Sequence, residues 1–291
     1  MHRCLAWAKV NLTLHITGRR TDGYHELESL VVFAGVGDTL EFNPAADLTL
    51  SITGPFAPAI AATGSADEDN LVLRAARSLR ARLGIADGAH IRLEKCLPVA
   101  AGIGGGSADA AATLLGLAAF WGADDAALLR EIGLGLGADV PVCLAGGPSY
   151  VSGIGERIVP VPDLPPVWLV LANPGLPLAT GAVFAAREGA FSAPQPWTGS
   201  TATAADLAAR LAMCHNDLEP AARCLVPEID DVLTGLLATD GCLLARMSGS
   251  GATCFGLYAD PALARAAAAA IGERRPTWWA AAAPALGRTK A

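Results

Sequence analysis

Four glycines fall within five residues at Gly102-Ile103-Gly104-Gly105-Gly106, and no other stretch limits so tightly what this chain can fold into. Glycine loses more freedom on ordering than any other residue, so inside a helix or strand each one is destabilising by roughly 0.5–1 kcal/mol. The run is therefore a loop. Before it, residues 89–97 read as a strand; after it, residues 107–121 are dense in alanine and leucine and read as a helix. A bare-backbone loop entering a helix brings unpaired N–H groups together, and the helix start adds about half a positive charge. The segment Pro98-Val99-Ala100-Ala101-Gly102-Ile103-Gly104-Gly105-Gly106-Ser107-Ala108 thus reads as a phosphate loop. Ser107 stands where a hydroxyl either caps the helix or touches phosphate or a magnesium-bound water. On the glycines alone, an ordinary strand-to-helix turn remains as open a reading.

Spacing excludes two phosphate loops. No Gly-Lys-Ser or Gly-Lys-Thr occurs in the chain, so this is not a Walker A motif, and Ser107 occupies the place of the third glycine in a dinucleotide fingerprint. The rest of the pattern is mixed. Alternation predicts short strands over 38–42 and 47–52, and periodicity predicts helices over 69–83, 201–213, 227–239 and 260–273. Strands are expected at 167–172 and 253–258. This segregation of strands and helices indicates an α+β fold. A chain of 291 residues suggests about two domains, and the prolines between Val159 and Pro166 set the junction, giving domains 1–158 and 159–291. The Gly189–Ser200 stretch is expected to be a mobile loop in the second.

Charge and composition remove several function classes. A net charge of −7 opposes a phosphate backbone, so no nucleic-acid partner is expected, and the partner is a small molecule. Apolar runs stay well short of the ~18 residues that span a bilayer, so no membrane is expected. Seven cysteines, odd in number and without a C-x-x-C pair, read as reduced thiols in a cytoplasmic protein. His2, His15, His90 and His215 show no metal-ligand spacing.

Beyond these readings, residues 98–112 resemble the second motif of the GHMP kinases. Ala8-Lys9-Val10-Asn11-Leu12, residues 18–26 with Asp22-Gly23-Tyr24-His25-Glu26, Gly137-Ala138-Asp139-Val140-Pro141, Asn216-Asp217-Leu218-Glu219-Pro220 and residues 246–252 resemble further motifs of that family. Order and spacing agree over nearly the whole chain. Trp7 departs from a usual proline, and Ala108-Asp109 replaces a more usual Ser-Asn. The resemblance implies a two-domain GHMP kinase fold with ATP and substrate in the cleft between domains. The first domain would be the nucleotide-binding one. The Asp-Gly-Tyr-His segment implies the branch that moves the γ-phosphoryl of ATP to the 2-hydroxyl of a cytidine-diphosphate-linked methylerythritol, in non-mevalonate isoprenoid precursor synthesis.

On that resemblance, Asp139 is the catalytic aspartate and Lys9 the catalytic lysine. ATP is bound by residues 98–108 with Asn70 and Lys95, and Mg2+ is met by Ser107, directly or through water. Asn11, Tyr24, His25, Thr180, Phe184 and Gly249 would contact substrate, with Tyr24 and His25 at the cytosine. A monomer or weak homodimer is expected. Read from the residues alone, Asp139 is also a helix start, Lys9 a snorkelling strand residue, Asn70 a helix cap, Lys95 a surface charge and Phe184 core. Asp109 either favours the helix dipole or helps hold magnesium.

Overall fold

The computed structural model describes residues 2–62, 70–161 and 164–287. In chain order these form β1 (His2–Asn11), β2 (His15–Arg19), β3 (His25–Ala45), β4 (Leu48–Thr53), α1 (Ala57–Ala62), α2 (Leu71–Leu83) and β5 (Gly88–Glu94). There follow α3 (Gly105–Phe120), α4 (Ala126–Leu136), α5 (Val140–Ala145), β6 (Ser149–Gly153), β7 (Arg157–Pro160), β8 (Trp168–Asn173) and α6 (Thr180–Ala186). The last elements are α7 (Ala204–Ala212), α8 (Glu219–Leu225), α9 (Glu228–Leu237), β9 (Leu244–Met247), β10 (Cys254–Tyr258), α10 (Pro261–Arg274) and β11 (Trp279–Leu286). Helices and a mixed sheet together make the α+β class that the sequence implies. Position 69, where the first helix was expected to begin, lies outside the described residues.

Two compact units result. One comprises 1–8, 37–99 and 104–145; the other comprises 9–36, 100–103 and 146–291.

In the first unit the second half of β3 pairs antiparallel with β5, from Thr39 opposite Glu94 to Ala45 opposite Gly88, and β4 lies parallel to β5. Helix α2 exists because Val72, Ala75, Ala76 and Leu79 recur on one buried stripe. Asn70 caps its start, and Gly84 ends it in the left-handed region at φ +64°. Helix α3 is apolar nearly all round, and α2, α4 and α5 pack against it. Its Leu114 and Leu117 are fully buried, each worth about 1.5–3 kcal/mol relative to exposure.

In the second unit β8 lies between β11 and β10, antiparallel to both, and β9 lies outside β10. Leu169–Ala172 of β8 are buried without alternation, as befits a strand covered on both faces. The first half of β3 pairs here with β2, β6 and β11. Val170, Val183, Leu218, Ile229, Leu236 and Met247 form the core of this unit.

The expected mobile loop at 189–200 has no regular structure, yet it is fastened: Ser192 N–H donates to Ile16 O (2.8 Å), Ser192 Oγ to Asp217 Oδ2 (2.8 Å) and Gln195 N–H to Glu28 Oε2 (2.6 Å). The Arg210 guanidinium also lies 3.7 Å from the Trp197 ring centroid. These long-range partners are invisible to local composition.

Candidate active site

In the first unit the strand before the glycines stops at Glu94, earlier than expected, because residues 95–97 turn to meet Asp38. Helix α3 begins two residues earlier than expected. Gly104, at φ +63°, is its N-cap, and Gly105, Gly106 and Ser107 form its first turn. Ser107 is thus not the cap. Its half-buried hydroxyl sits in the first turn, beside N–H groups that have no acceptor within the helix. Those N–H groups and the helix dipole are what a phosphate needs.

Lys95 is not a surface charge. It is buried, and its Nζ donates to Asp38 Oδ2 (2.5 Å) and Asp109 Oδ2 (2.6 Å). Burial opposes its charge, but Asp109 and Asp38 outweigh that and its pKa is raised. Asp109 is buried in turn. Burial, and then the neighbouring Asp38 charge, push its carboxyl up to about 7 against the pull of Lys95. The Asp109 carboxyl is thus compensated by a lysine within the protein, while its Oδ1 has no hydrogen-bond partner. Asn70 Oδ1 accepts from Val72 N–H (2.9 Å), so the capping reading of Asn70 holds. Asp139 is half-buried and immediately precedes α5, its carbonyl accepting from Cys143 N–H (3.1 Å).

In the second unit Lys9 and Asn11 end β1, both buried, and Lys9 N–H donates to Ile103 O (3.0 Å). Lys9 is therefore no snorkelling surface residue. Asn11 Nδ2 donates to Ser29 Oγ (2.7 Å), and Asn11 N–H to Ser248 Oγ (3.1 Å), which itself donates to Gly102 O (3.0 Å). Asn11 Oδ1 is buried without a partner, an acceptor awaiting a donor. Thr253 N–H donates to Ala101 O (3.2 Å), so the 100–103 and 248–253 turns lie back to back. Ala100 is held in the left-handed region at φ +51°, which costs a non-glycine residue about 1–2 kcal/mol. At Gly102 an added Cβ would lie 2.5 Å from Ser248 O, and at Gly249 it would lie 2.6 Å from Gly102 O.

The second turn is also held from behind. Asn216 Nδ2 donates to Met247 O (2.9 Å) and Gly249 O (2.8 Å), and Thr180 Oγ1 meets Ser250 Oγ (2.8 Å). Arg246, buried, donates to Leu12 O, Leu211 O and Cys214 O. His25 stacks on Phe184, with ring centroids 5.1 Å apart and planes at 29°. Phe184 also packs on the core, as the core reading of it expects. Burial, then Arg19 and Arg187, hold the His25 pKa below its ordinary value, which favours a neutral ring with one donor and one acceptor. Tyr24 is 63% exposed on the adjoining turn, where its N–H donates to Asp22 Oδ1 (3.2 Å).

The structure thus brings Asn11 and Gly249 together with the 100–103 turn, His25 together with Phe184, and Lys95 with the start of α3. Lys9 belongs to the second unit and Asp139 to the first. Sequence reasoning missed Asp38, because an aspartate in an alternating strand carries no local signal, and it held Ser248 within the 246–252 motif without giving it a role. Among the described residues, no group of three or more His, Cys, Asp or Glu side chains could hold a metal ion.

Comparison with known proteins bears on this arrangement. Residues 70–147 match the model of the GHMP kinases N terminal domain, and residues 202–276 match that of the GHMP kinases C terminal. The chain is 58% identical over 280 residues to a 4-diphosphocytidyl-2-C-methyl-D-erythritol kinase of Paramagnetospirillum magneticum, covering 96% of each. It is similar to a crystal structure of 4-(cytidine 5'-diphospho)-2C-methyl-D-erythritol kinase, with a TM-score of 0.79 and 36% identity, covering 98% of this chain and 100% of that one. A homoserine kinase from Cytophaga hutchinsonii shares the fold, with a TM-score of 0.70 and 18% identity, covering 99% and 95%.

Proposed function

The chain belongs to the GHMP kinase family, and on that premise we propose that it transfers the γ-phosphoryl of ATP to the 2-hydroxyl of 4-diphosphocytidyl-2-C-methyl-D-erythritol, yielding the 2-phosphate. The observation that carries the substrate is the His25–Phe184 stack: a neutral imidazole held flat against an aromatic ring, beside the exposed Tyr24, suits a pyrimidine that must be told from its analogues by donors and acceptors. The full-length likeness to kinases named for that compound supports it.

The phosphates of ATP would rest on the N–H groups of Gly105, Gly106 and Ser107, with the preceding residues 98–104 shaping the approach and Asn70 and Lys95 close by. Asn11, through its unpartnered Oδ1, Thr180 and the Gly249 turn would hold the acceptor. A tertiary alcohol is too weak an acid to react unaided at neutral pH, so Asp139 would orient or deprotonate it. Lys9 would balance charge on the transferring group. Direct in-line transfer then requires no covalent phosphoenzyme.

The residues present fit Mg2+ only as a nucleotide-borne ion. Ser107 offers one hydroxyl in the first turn of α3, and the remaining ligands of an octahedral ion would be phosphate oxygens and water. Bound there, Mg2+ supplies charge neutralisation at the phosphates. A compartment in the cytoplasm and a monomer or weak homodimer complete the reading; among the described residues no helix is long and apolar enough to cross a membrane.

The test is to incubate the protein with magnesium, ATP and the cytidyl acceptor, with homoserine and mevalonate as parallel acceptors, and to follow products by mass spectrometry. One added phosphate on the cytidyl compound is expected. Phosphorylation of another acceptor alone would sink the substrate assignment while leaving the family intact.

A further inference from the structure

The Asp38 carboxylate is fully buried on β3, and both its oxygens are engaged. Oδ1 accepts from Cys96 N–H (2.6 Å) and Leu97 N–H (2.8 Å), and Oδ2 accepts from Lys95 Nζ (2.5 Å). A carboxylate this deep is tolerated only when donors and an opposite charge replace its water. All three donors come from residues 95–97, immediately before Pro98.

Residue 95 is gripped from its other side as well. Its N–H donates to Thr53 O (2.7 Å), its carbonyl accepts from Phe56 N–H (3.2 Å), and Gly54, at φ +93°, lies so close that a Cβ there would come 2.6 Å from Lys95 O. From this fixed point the Lys95 side chain runs beneath the first turn of α3, where a Cβ on Gly105 would lie 3.2 Å from Nζ, and ends on Asp109 one turn further along. The ammonium is shared between two carboxylates, so its charge is neutralised within the protein. What the arrangement fixes is geometry: the end of β5 and the start of α3 are locked to one buried side chain.

We propose that Asp38 is a positioning residue for nucleotide binding: through Lys95 and the N–H groups of Cys96 and Leu97 it sets the first turn of α3, whose own N–H groups receive phosphate, without touching the nucleotide. The proposal rests on the phosphate-loop reading above and goes beyond it by naming what holds that loop. Hydrogen bonds weaken steeply as distance and angle depart from ideal, and losing one to a charged acceptor costs about ten- to a hundredfold in affinity.

The experiment compares the full chain with Asp38→Asn and Asp38→Glu. Displacement of a fluorescent ATP analogue reads nucleotide affinity without any acceptor, steady-state kinetics separate kcat from each KM, and thermal melts control for folding. Asp38→Asn turns a donor toward either Lys95 or the two N–H groups, and is expected to weaken nucleotide about ten- to a hundredfold, the worth of one hydrogen bond to a charged acceptor. Acceptor KM and kcat at saturating nucleotide should stay within about threefold. Asp38→Glu, which keeps the charge but moves it by a methylene, should not restore affinity.

Unchanged affinity in Asp38→Asn, full affinity in Asp38→Glu, or a parallel loss in kcat and both KM values would each overturn the proposal. Should Asp38→Asn fail to fold, Asp38→Ser, smaller and still able to accept one N–H, is read the same way. A wild-type protein that does not bind the analogue overturns the phosphate-loop reading and this proposal together. Binding that the variants leave unchanged overturns this proposal alone.

Discussion

A base beside a tertiary alcohol contributes about 10²–10⁴-fold, so Asp139→Asn is expected to lower kcat by that factor, with its melting temperature unchanged, in a coupled ADP-release assay. Lys9→Ala should lose at least about a hundredfold by the same assay, as loss of a charge-stabilising group commonly does. Full activity in either variant removes the assigned role. A second effect concerns pH. His15 is buried against His215, and burial first, then the His215 charge, lower its pKa, while Asp217 and Glu28 pull the other way and Arg246 adds to the lowering. The unfolded chain therefore binds a proton at His15 more readily than the folded one. Its contribution to stability is complete above pH 6.5, the unperturbed value, and is lost as pH falls below it. Urea unfolding at pH 7.5 and 5.5 should show wild type losing more stability than His15→Gln over that interval; equal losses would refute it. At this scale the sequence was only half legible. Lys9, Asp139, Tyr24 and His25 could be singled out from motifs, but whether Lys95 faces water or Asp109 faces phosphate depends on Asp38, 57 residues away in the chain.

Elements were legible wherever local signals and tertiary packing agree. Helices α2, α7, α9 and α10 fall within three residues of the spans the periodicity predicts, because each has a buried stripe and a punctuating residue at its start. Asp260 illustrates the second: its carboxylate accepts from Ala262 N–H (2.6 Å) and Leu263 N–H (3.0 Å) at the start of α10. Asp260→Ala should cost about 1 kcal/mol in urea unfolding and leave kcat unaltered. Leu117→Ala, in the middle of α3, should cost about 2–5 kcal/mol, because a fully buried side chain leaves a cavity among α2, α4 and α5. A loss below about 1 kcal/mol would mean that α3 is not the core its burial describes. Strand β11 escaped notice for the opposite reason. Trp279-Ala280-Ala281-Ala282-Ala283 has the composition of a helix, and only its register against β8, Trp279 opposite Asn173 through Pro284 opposite Trp168, makes it a strand.

For the whole molecule, the α+β class and the family could be read from the chain, while the interleaving of the two units could not. Strands β1 and β3 each pass from one unit into the other, and the short 100–103 turn belongs to a different unit from the residues on either side of it. Proline content registers where a chain is unlikely to be regular, not which distant segment it packs with. A ligand that binds only the folded chain stabilises all of it, so saturating magnesium-ATP, at about a hundred times its Kd, should add about 2.7 kcal/mol. The accompanying rise in melting temperature is expected with ATP and absent with an uncharged nucleoside. No rise with ATP would contradict nucleotide binding at any site.

The two back-to-back glycine turns set a rule for how this protein can change. A Cβ on Gly249 would meet Gly102 O, one on Gly102 would meet Ser248 O and Gly251 N, and both glycines already sit at positive φ. Neither substitution can rescue the other, since each adds volume against backbone of the facing turn. In a library randomised at both positions and selected for activity, the pair should return as glycine together and offer no compensating route. Any drift toward a new acceptor would have to begin elsewhere, at the Tyr24 side chain, which is 63% exposed.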